Sequence, residues 1–457
     1  MTDWDGLLER TRALALDYLA GLPDRPVWAR ASFHEMVERL GGPLPEGGAA
    51  PDEVVAALAL AADPGLTAGS GNRFYGFVQG GTHPAALAAD WLTATWDQNG
   101  GLTALSPAGA AAEAVVAGWV LELLGLPSSA SVGFVTGGMM ANFTCLGAAR
   151  HAVLARVGWD VEQRGLAGSP PVRVLVSAAQ HDTVAVAVRY LGLGLDAITP
   201  VATDEQNRVR PDALADVLAT TGREPTIVCL QAGDVHTGAF DPWVEAIGLA
   251  HDHDAWVHVD GAFGLWAGAS PTTRHLVDGV AQADSWATDA HKTLNVPYDS
   301  GLAIVADRAA HRAAFGASGA YLITSEVGDP LEVVPEFSRR ARGFAAWAVL
   351  RSLGRSGVAG LVDRLCANAQ RMAAGVTAIP GAQVLNDVVF TQVLASFGDD
   401  TTTRQVGKHI LEDGTFVATP STWRGRAVLR LSMSNWSTDD AAIDRSLAAL
   451  HRIAAGS

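Results

Sequence analysis

The chain has 457 residues, about three times the roughly 150 of a single domain, so two or three domains with one sizeable core are expected. Apolar residues make up 49%, charged ones only 18%, and the net charge is −16. Such a surface repels phosphate backbones and anionic lipid, which argues against nucleic-acid or membrane binding and favours a small-molecule enzyme.

Residues 4–21 place Leu7, Leu8, Leu14 and Tyr18 at mixed three- and four-residue spacings, as in an amphipathic helix. Pro23 and Pro26 break it, and a Pro/Gly-rich stretch from Gly41 to Pro51 precedes another helix near Glu53–Ala62. Neither helix can bury an apolar stripe alone, so residues 1–70 read as an arm that packs on another body, a second subunit included. Then come an aromatic loop, Arg73–Phe77, and alanine-rich helices at Pro84–Trp96 and Ala108–Leu124. Phe74, Tyr75, Phe77 and Trp96 read either as the wall of an apolar pocket or as ordinary packing.

After that, short valine- and isoleucine-rich runs alternate with helix-length segments: Val132–Thr136, Val172–Val176, Ile198–Val201, Thr226–Leu230, Trp256–Val259, Trp286–Thr288 and Gly301–Val305. This pattern predicts an α/β domain over 71–330 with a mostly parallel seven-stranded sheet. Residues 331–457, with helices at 337–353, 357–378 and 401–412, strands at 388–397 and 427–433 and a final helix, predict a small C-terminal α+β domain. No apolar run approaches the roughly 18 residues of a membrane span. The start, Met1-Thr-Asp-Trp-Asp, lacks the basic opening of a signal peptide. Three scattered cysteines, Cys145, Cys229 and Cys366, fit reduced thiols, so a cytoplasmic location is expected.

Of 32 basic residues only two are lysines, Lys292 and Lys408. Lys292 follows a buried strand-like run in Asp289-Ala-His-Lys292, where ligands of α/β folds collect. A partly buried lysine can lose its proton and attack a carbonyl, which arginine cannot do. Thr136-Gly-Gly-Met-Met-Ala-Asn142 follows a strand and opens a helix, a place for an anion such as phosphate or simply a tight turn. His258-Val-Asp-Gly-Ala262 ends another strand with an acid that can hold a protonated ring nitrogen or cap the next turn. Gln180-His181 offers an imidazole at a third strand end. His251, His253 and His258 with Asp252, Asp254 and Asp260 raise a metal site, but no open-site ligand spacing accompanies them.

Together with Gln231-Ala-Gly-Asp-Val-His-Thr-Gly-Ala-Phe-Asp241, these motifs stand in the order and spacing of the group II pyridoxal-phosphate (PLP) decarboxylases, which the chain resembles from about Arg73 to Arg342. The resemblance implies the fold-type-I PLP domain, an amino-acid substrate and a homodimer with active sites at the interface. It also implies roles: Lys292 as the Schiff-base lysine, Asp260 on the pyridine nitrogen, His181 stacked on the ring and Ala262 on its other face. Gly138 and Met139 would contact the phosphate through their backbone, with His291 beside phosphate and lysine. Two departures stand out. Relatives that form amines carry a loop tyrosine after the lysine, whereas this chain has none between Leu322 and Arg342, only Tyr321 just before. Asp234 stands where the family often has threonine. Both leave other outcomes open: aldehyde formation, carbon–carbon cleavage or transamination. Arg342 and Arg424 are possible partners for a substrate carboxylate.

Overall fold

The structure is a computed structural model that describes residues 3–316 and 328–456. Its first three helices, α1 (Trp4–Gly21), α2 (Phe33–Leu40) and α3 (Pro51–Ala62), start at defined caps. Asp3 accepts from the Gly6 N–H, Ser32 and Glu35 form a reciprocal capping box, and proline opens α3. None of the three contains a buried residue. Helix α2 had no counterpart in the sequence reading. α4 (Pro84–Trp96) and α5 (Pro107–Leu124) follow, then β1 (Ser131–Val135) and α6 (Gly138–Arg156).

The main sheet continues with β2 (Arg173–Ser177), β3 (Ile198–Val201), β4 (Thr226–Gln231), β5 (Trp256–Asp260), β6 (Ser285–Asp289) and β7 (Gly301–Val305). Its order is β1-β7-β6-β5-β4-β2-β3, and only β7 runs antiparallel to its neighbours. The expected mostly parallel seven-stranded sheet is therefore present. Alternation explains why both faces are covered. Val228 and Leu230 of β4 join the core with α5, whereas Ile227 and Cys229 join the core with α6. Each such fully buried aliphatic side chain stabilises the fold by about 1.5–3 kcal/mol.

Helix α5 corrects one expectation. By length and composition Pro107–Leu124 is apolar enough to cross a membrane. Here it packs on the helix Gly343–Thr377, and its buried Glu113 receives both terminal nitrogens of buried Arg339 at 2.9 and 2.6 Å. Burial pushes the Glu113 carboxyl up, and the Arg339 guanidinium opposes that shift.

That ion pair also explains why the helix expected from Phe337 begins at Gly343. Arg339 spends its backbone on the 99–101 loop, its N–H on Asn99 and its carbonyl on the Gly100 N–H. At Gly354, φ is 62°, a left-handed conformation that favours glycine and separates the two helices read from the sequence within one continuous run. Beyond it lies a second, antiparallel sheet ordered β10-β11-β9-β8, from β8 (Ala382–Val384), β9 (Gln392–Phe397), β10 (Thr419–Trp423) and β11 (Arg426–Ser432). The strand expected at 388–397 is shorter, and β8 and β10 were missed. Both are short edge strands, and Pro420 weakens the signal of β10.

Removing one partner of a buried ion pair leaves an uncompensated charge. Glu113→Ala should therefore cost about 3–5 kcal/mol, read as a lower unfolding midpoint in denaturant.

Candidate active site

The carboxyl ends of β1, β2, β4, β5 and β6 share one edge of the sheet, and each delivers part of the site. In-register pairing sets Gln231 beside Asp260 and Asp260 beside Ala287, two residues before Asp289. Around this edge lies a cavity of about 230 Å³ whose wall includes Gly138, Met139, His181, Asp260, Ala262, His291 and Lys292. All seven residues singled out from the sequence thus line one cavity.

Lys292 stands on a turn clamped from several sides. The Asn295 side chain accepts from the Gly81 and Trp436 N–H groups, and it donates to the carbonyls of Thr293 and Ser434. Asn295 itself has φ 58°, which asparagine tolerates better than most residues. Gly80 packs so closely that an added Cβ would collide with the carbonyls of His291 and Lys292. The Lys292 Nζ lies 3.1 Å from Oδ2 of Asp289, a carboxylate only 1% exposed, whose Oδ1 lies 3.3 Å from His291 Nε2. Desolvation holds the His291 imidazole below its ordinary range, so it is neutral, and its Nδ1 accepts the Ser300 N–H.

The glycine turn faces this group. A Cβ at Gly137 would come within 2.9 Å of the His291 ring, and one at Gly138 within 2.8 Å of Asp289. Helix α6 starts at Gly138 without a side-chain cap, leaving first-turn N–H groups for an anion. Asp260 receives the Asn142 amide on Oδ2 at 2.9 Å and the Ala262 N–H on Oδ1 at 3.2 Å. His181 caps the helix Asp182–Tyr190 through Nδ1, which also meets the Thr183 hydroxyl at 3.0 Å.

Residues 38–397 match the pyridoxal-dependent decarboxylase conserved domain. The chain belongs to that family. An aromatic-L-amino-acid decarboxylase of Bacillus atrophaeus is 27% identical over 442 residues, 92% of this chain and 89% of that protein. An L-2,4-diaminobutyrate decarboxylase of Rhizobium meliloti is 30% identical over 380 residues, 77% of this chain and 71% of that protein. Among solved structures, Oryza sativa TDC with PLP and tryptamine superposes with a TM-score of 0.93 at 23% identity, covering 99% of this chain and 98% of that one.

The cofactor of the family is pyridoxal phosphate, and the cavity fits it. An acid, a lysine and an uncapped helix start surround one space, where Gln231 also carries a buried amide nitrogen without a hydrogen-bond partner. The structure decides between pocket wall and ordinary packing for the four aromatics: only Phe77 lines the cavity. Phe74 packs with Val27 and Val417, Tyr75 meets Ser446 in the small domain, and Trp96 lies edge-on to Phe344. Among the described residues no group of three or more potential metal ligands forms. His251 pairs with Asp284, and His258 is wholly buried among hydrogen-bond partners.

Arg342 pairs with Asp299 at 2.6 Å, and Arg424 bonds the Asp204 carbonyl; neither lines the cavity. The arginine that does is Arg430, from β11, which the sequence reading passed over. Its Nη1 donates to the Val235 carbonyl at 3.3 Å, its Nε has no partner, and desolvation lowers its affinity for a proton. Asp234 is not part of the cavity wall. Its Oδ1 accepts from Asn207, His236 and Thr237, tying down the turn whose neighbours Gly233 and Val235 form the wall. Tyr321 and the loop around it lie outside the described residues.

Proposed function

We propose that the protein decarboxylates an L-amino acid, with Lys292 as the amine that carries pyridoxal phosphate. The observation that carries this reading is the meeting of Lys292, Asp260 and the Gly137–Gly138 turn at one cavity. Bound there, the cofactor supplies the electron sink that accepts the pair left when the carboxylate departs. The chain supplies the rest. Asp260 would hold the ring nitrogen, the start of α6 would hold the phosphate, and His181 and Ala262 would flank the ring. Asp289, 3.1 Å from the Lys292 Nζ, would hold that amine in place when it is free of the cofactor. Phe77, Val78, Val235 and Phe263 give the cavity an apolar side, which favours an aromatic or apolar substrate, with Arg430 as the cation for its carboxylate.

A second reading, release of an aldehyde in air, is favoured by the lack of tyrosine between Leu322 and Arg342. A 4-hydroxyphenylacetaldehyde synthase of Rhodiola rosea is 28% identical to this chain over 360 residues. Against it stands Tyr298, a half-exposed tyrosine whose ring lies 4.2 Å from that of the cavity-lining His291 and which offers a phenol hydrogen close to the site.

The assembly we propose is a homodimer in the cytoplasm. Its support is the arm, where Phe33 and Leu60 are each 78% exposed although α1 to α3 are rich in apolar residues. Phe33→Glu with Leu60→Glu should shift sedimentation from dimer to monomer, and a variant that stays dimeric refutes this interface.

Products from PLP-loaded protein and a panel of amino acids, run with and without oxygen, test the reaction. Equal amine in both runs, absent with Lys292→Ala, is the expected result; aldehyde and ammonia only in air, or keto acids, overturn it. Arg430→Met should raise KM by about tenfold or more, the loss of one hydrogen bond to a charged group, while leaving cofactor binding intact.

A further inference from the structure

From the cavity wall, where Asn142 stands beside Asp260, a chain of buried polar groups that no step above uses runs inward between α6, β5 and β6. Asn142 Nδ2 donates to Asp260 Oδ2 at 2.9 Å, and Asn142 Oδ1 faces His258 Nε2 at 2.9 Å. His258 Nδ1 faces the Ser285 hydroxyl at 3.0 Å, and the Trp256 indole nitrogen meets that hydroxyl at 2.9 Å. All five residues are buried.

The ends of this chain dictate its protons. An ionised carboxylate only accepts, so Asn142 must present its NH₂ to Asp260 and its oxygen to His258. His258 Nε2 therefore carries the hydrogen. Burial pushes this imidazole down to about 4, so it has only one, and Nδ1 is an acceptor. The Ser285 O–H then donates to Nδ1, and its oxygen is free to accept from the indole N–H, which can only donate. Every bond points the same way, from Trp256 towards Asp260, and aligned hydrogen bonds polarise one another.

We propose that Asn142, His258 and Ser285 form a positioning relay that fixes the orientation and negative charge of Asp260, and through it the proton on the cofactor's ring nitrogen. The inference rests on reading Asp260 as the partner of that nitrogen. Three observations favour a directed device over generic packing. The relay connects three separate elements, α6, β5 and β6, across one face of the sheet. It terminates on the single carboxylate oxygen that Ala262 does not serve. The Asn142 amide also lies 3.3 Å from the Thr183 hydroxyl, which meets His181, so one side chain touches the supports of both groups assigned to the ring.

His258→Leu removes the middle of the relay, while His258→Gln keeps a donor near the position of Nε2. Two readouts are taken on each protein: the dissociation constant for PLP and the position of the visible absorbance band of the bound cofactor. The leucine variant should bind PLP about tenfold more weakly, the loss of one hydrogen bond to a charged group, and its band should shift. The glutamine variant should recover affinity to within about threefold and restore the band. A chain with only a structural role would lower the melting temperature and leave the band unmoved. A folded leucine variant with wild-type affinity and band overturns the relay while leaving the cofactor reading standing. Should that variant fail to fold, Ser285→Ala decides: a weaker shift in the same direction supports the relay, and wild-type values overturn it. Wild-type protein that stays colourless with PLP sinks the cofactor reading and the relay together.

Discussion

The site depends on the register of the parallel strands. Backbone hydrogen bonds between β4, β5 and β6 pair Gln231 with Asp260 and Asp260 with Ala287, which sets the ends of those strands at one level. Because side chains alternate along a strand, a slip of one residue would turn Asp260 into the other face of the sheet and lose the site altogether. The register is itself held by burial on both faces, where every residue of β4, β5 and β6 is buried.

A second constraint is the concentration of polar groups in so apolar an interior. Buried carboxylates are costly unless bonded. Asp260 has Asn142 and the Ala262 N–H, and Asp289 has Lys292. Orphans remain at the cavity wall: Gln231 Nε2 and Arg430 Nε. Such unpaired atoms are expected where a bound molecule completes the hydrogen bonding.

The strands and the site motifs were legible in the sequence because each is local. A run of valines, a glycine pair before a helix and an acid at the end of a strand carry their meaning within a few residues. What was missed depends on distance along the chain. Arg430 lies on a strand of the small sheet and reaches a cavity built on the large one. Asn142 looks like any polar residue in the first turns of a helix until His258 and Asp260 are brought to it. The histidines between 251 and 258 look alike in sequence, yet β5 buries His258 while His251 stays near the surface.

By itself the sequence determined the alternating fold, the family and the residues that meet around one cavity, since those follow from periodicity and from motifs with fixed chemistry. Only the tertiary structure decided which arginine enters the cavity, which of the aromatics face it and what stands behind Asp260. Those are contacts between segments hundreds of residues apart, and nothing in the local pattern of a strand or helix records which side chain its distant neighbour will present.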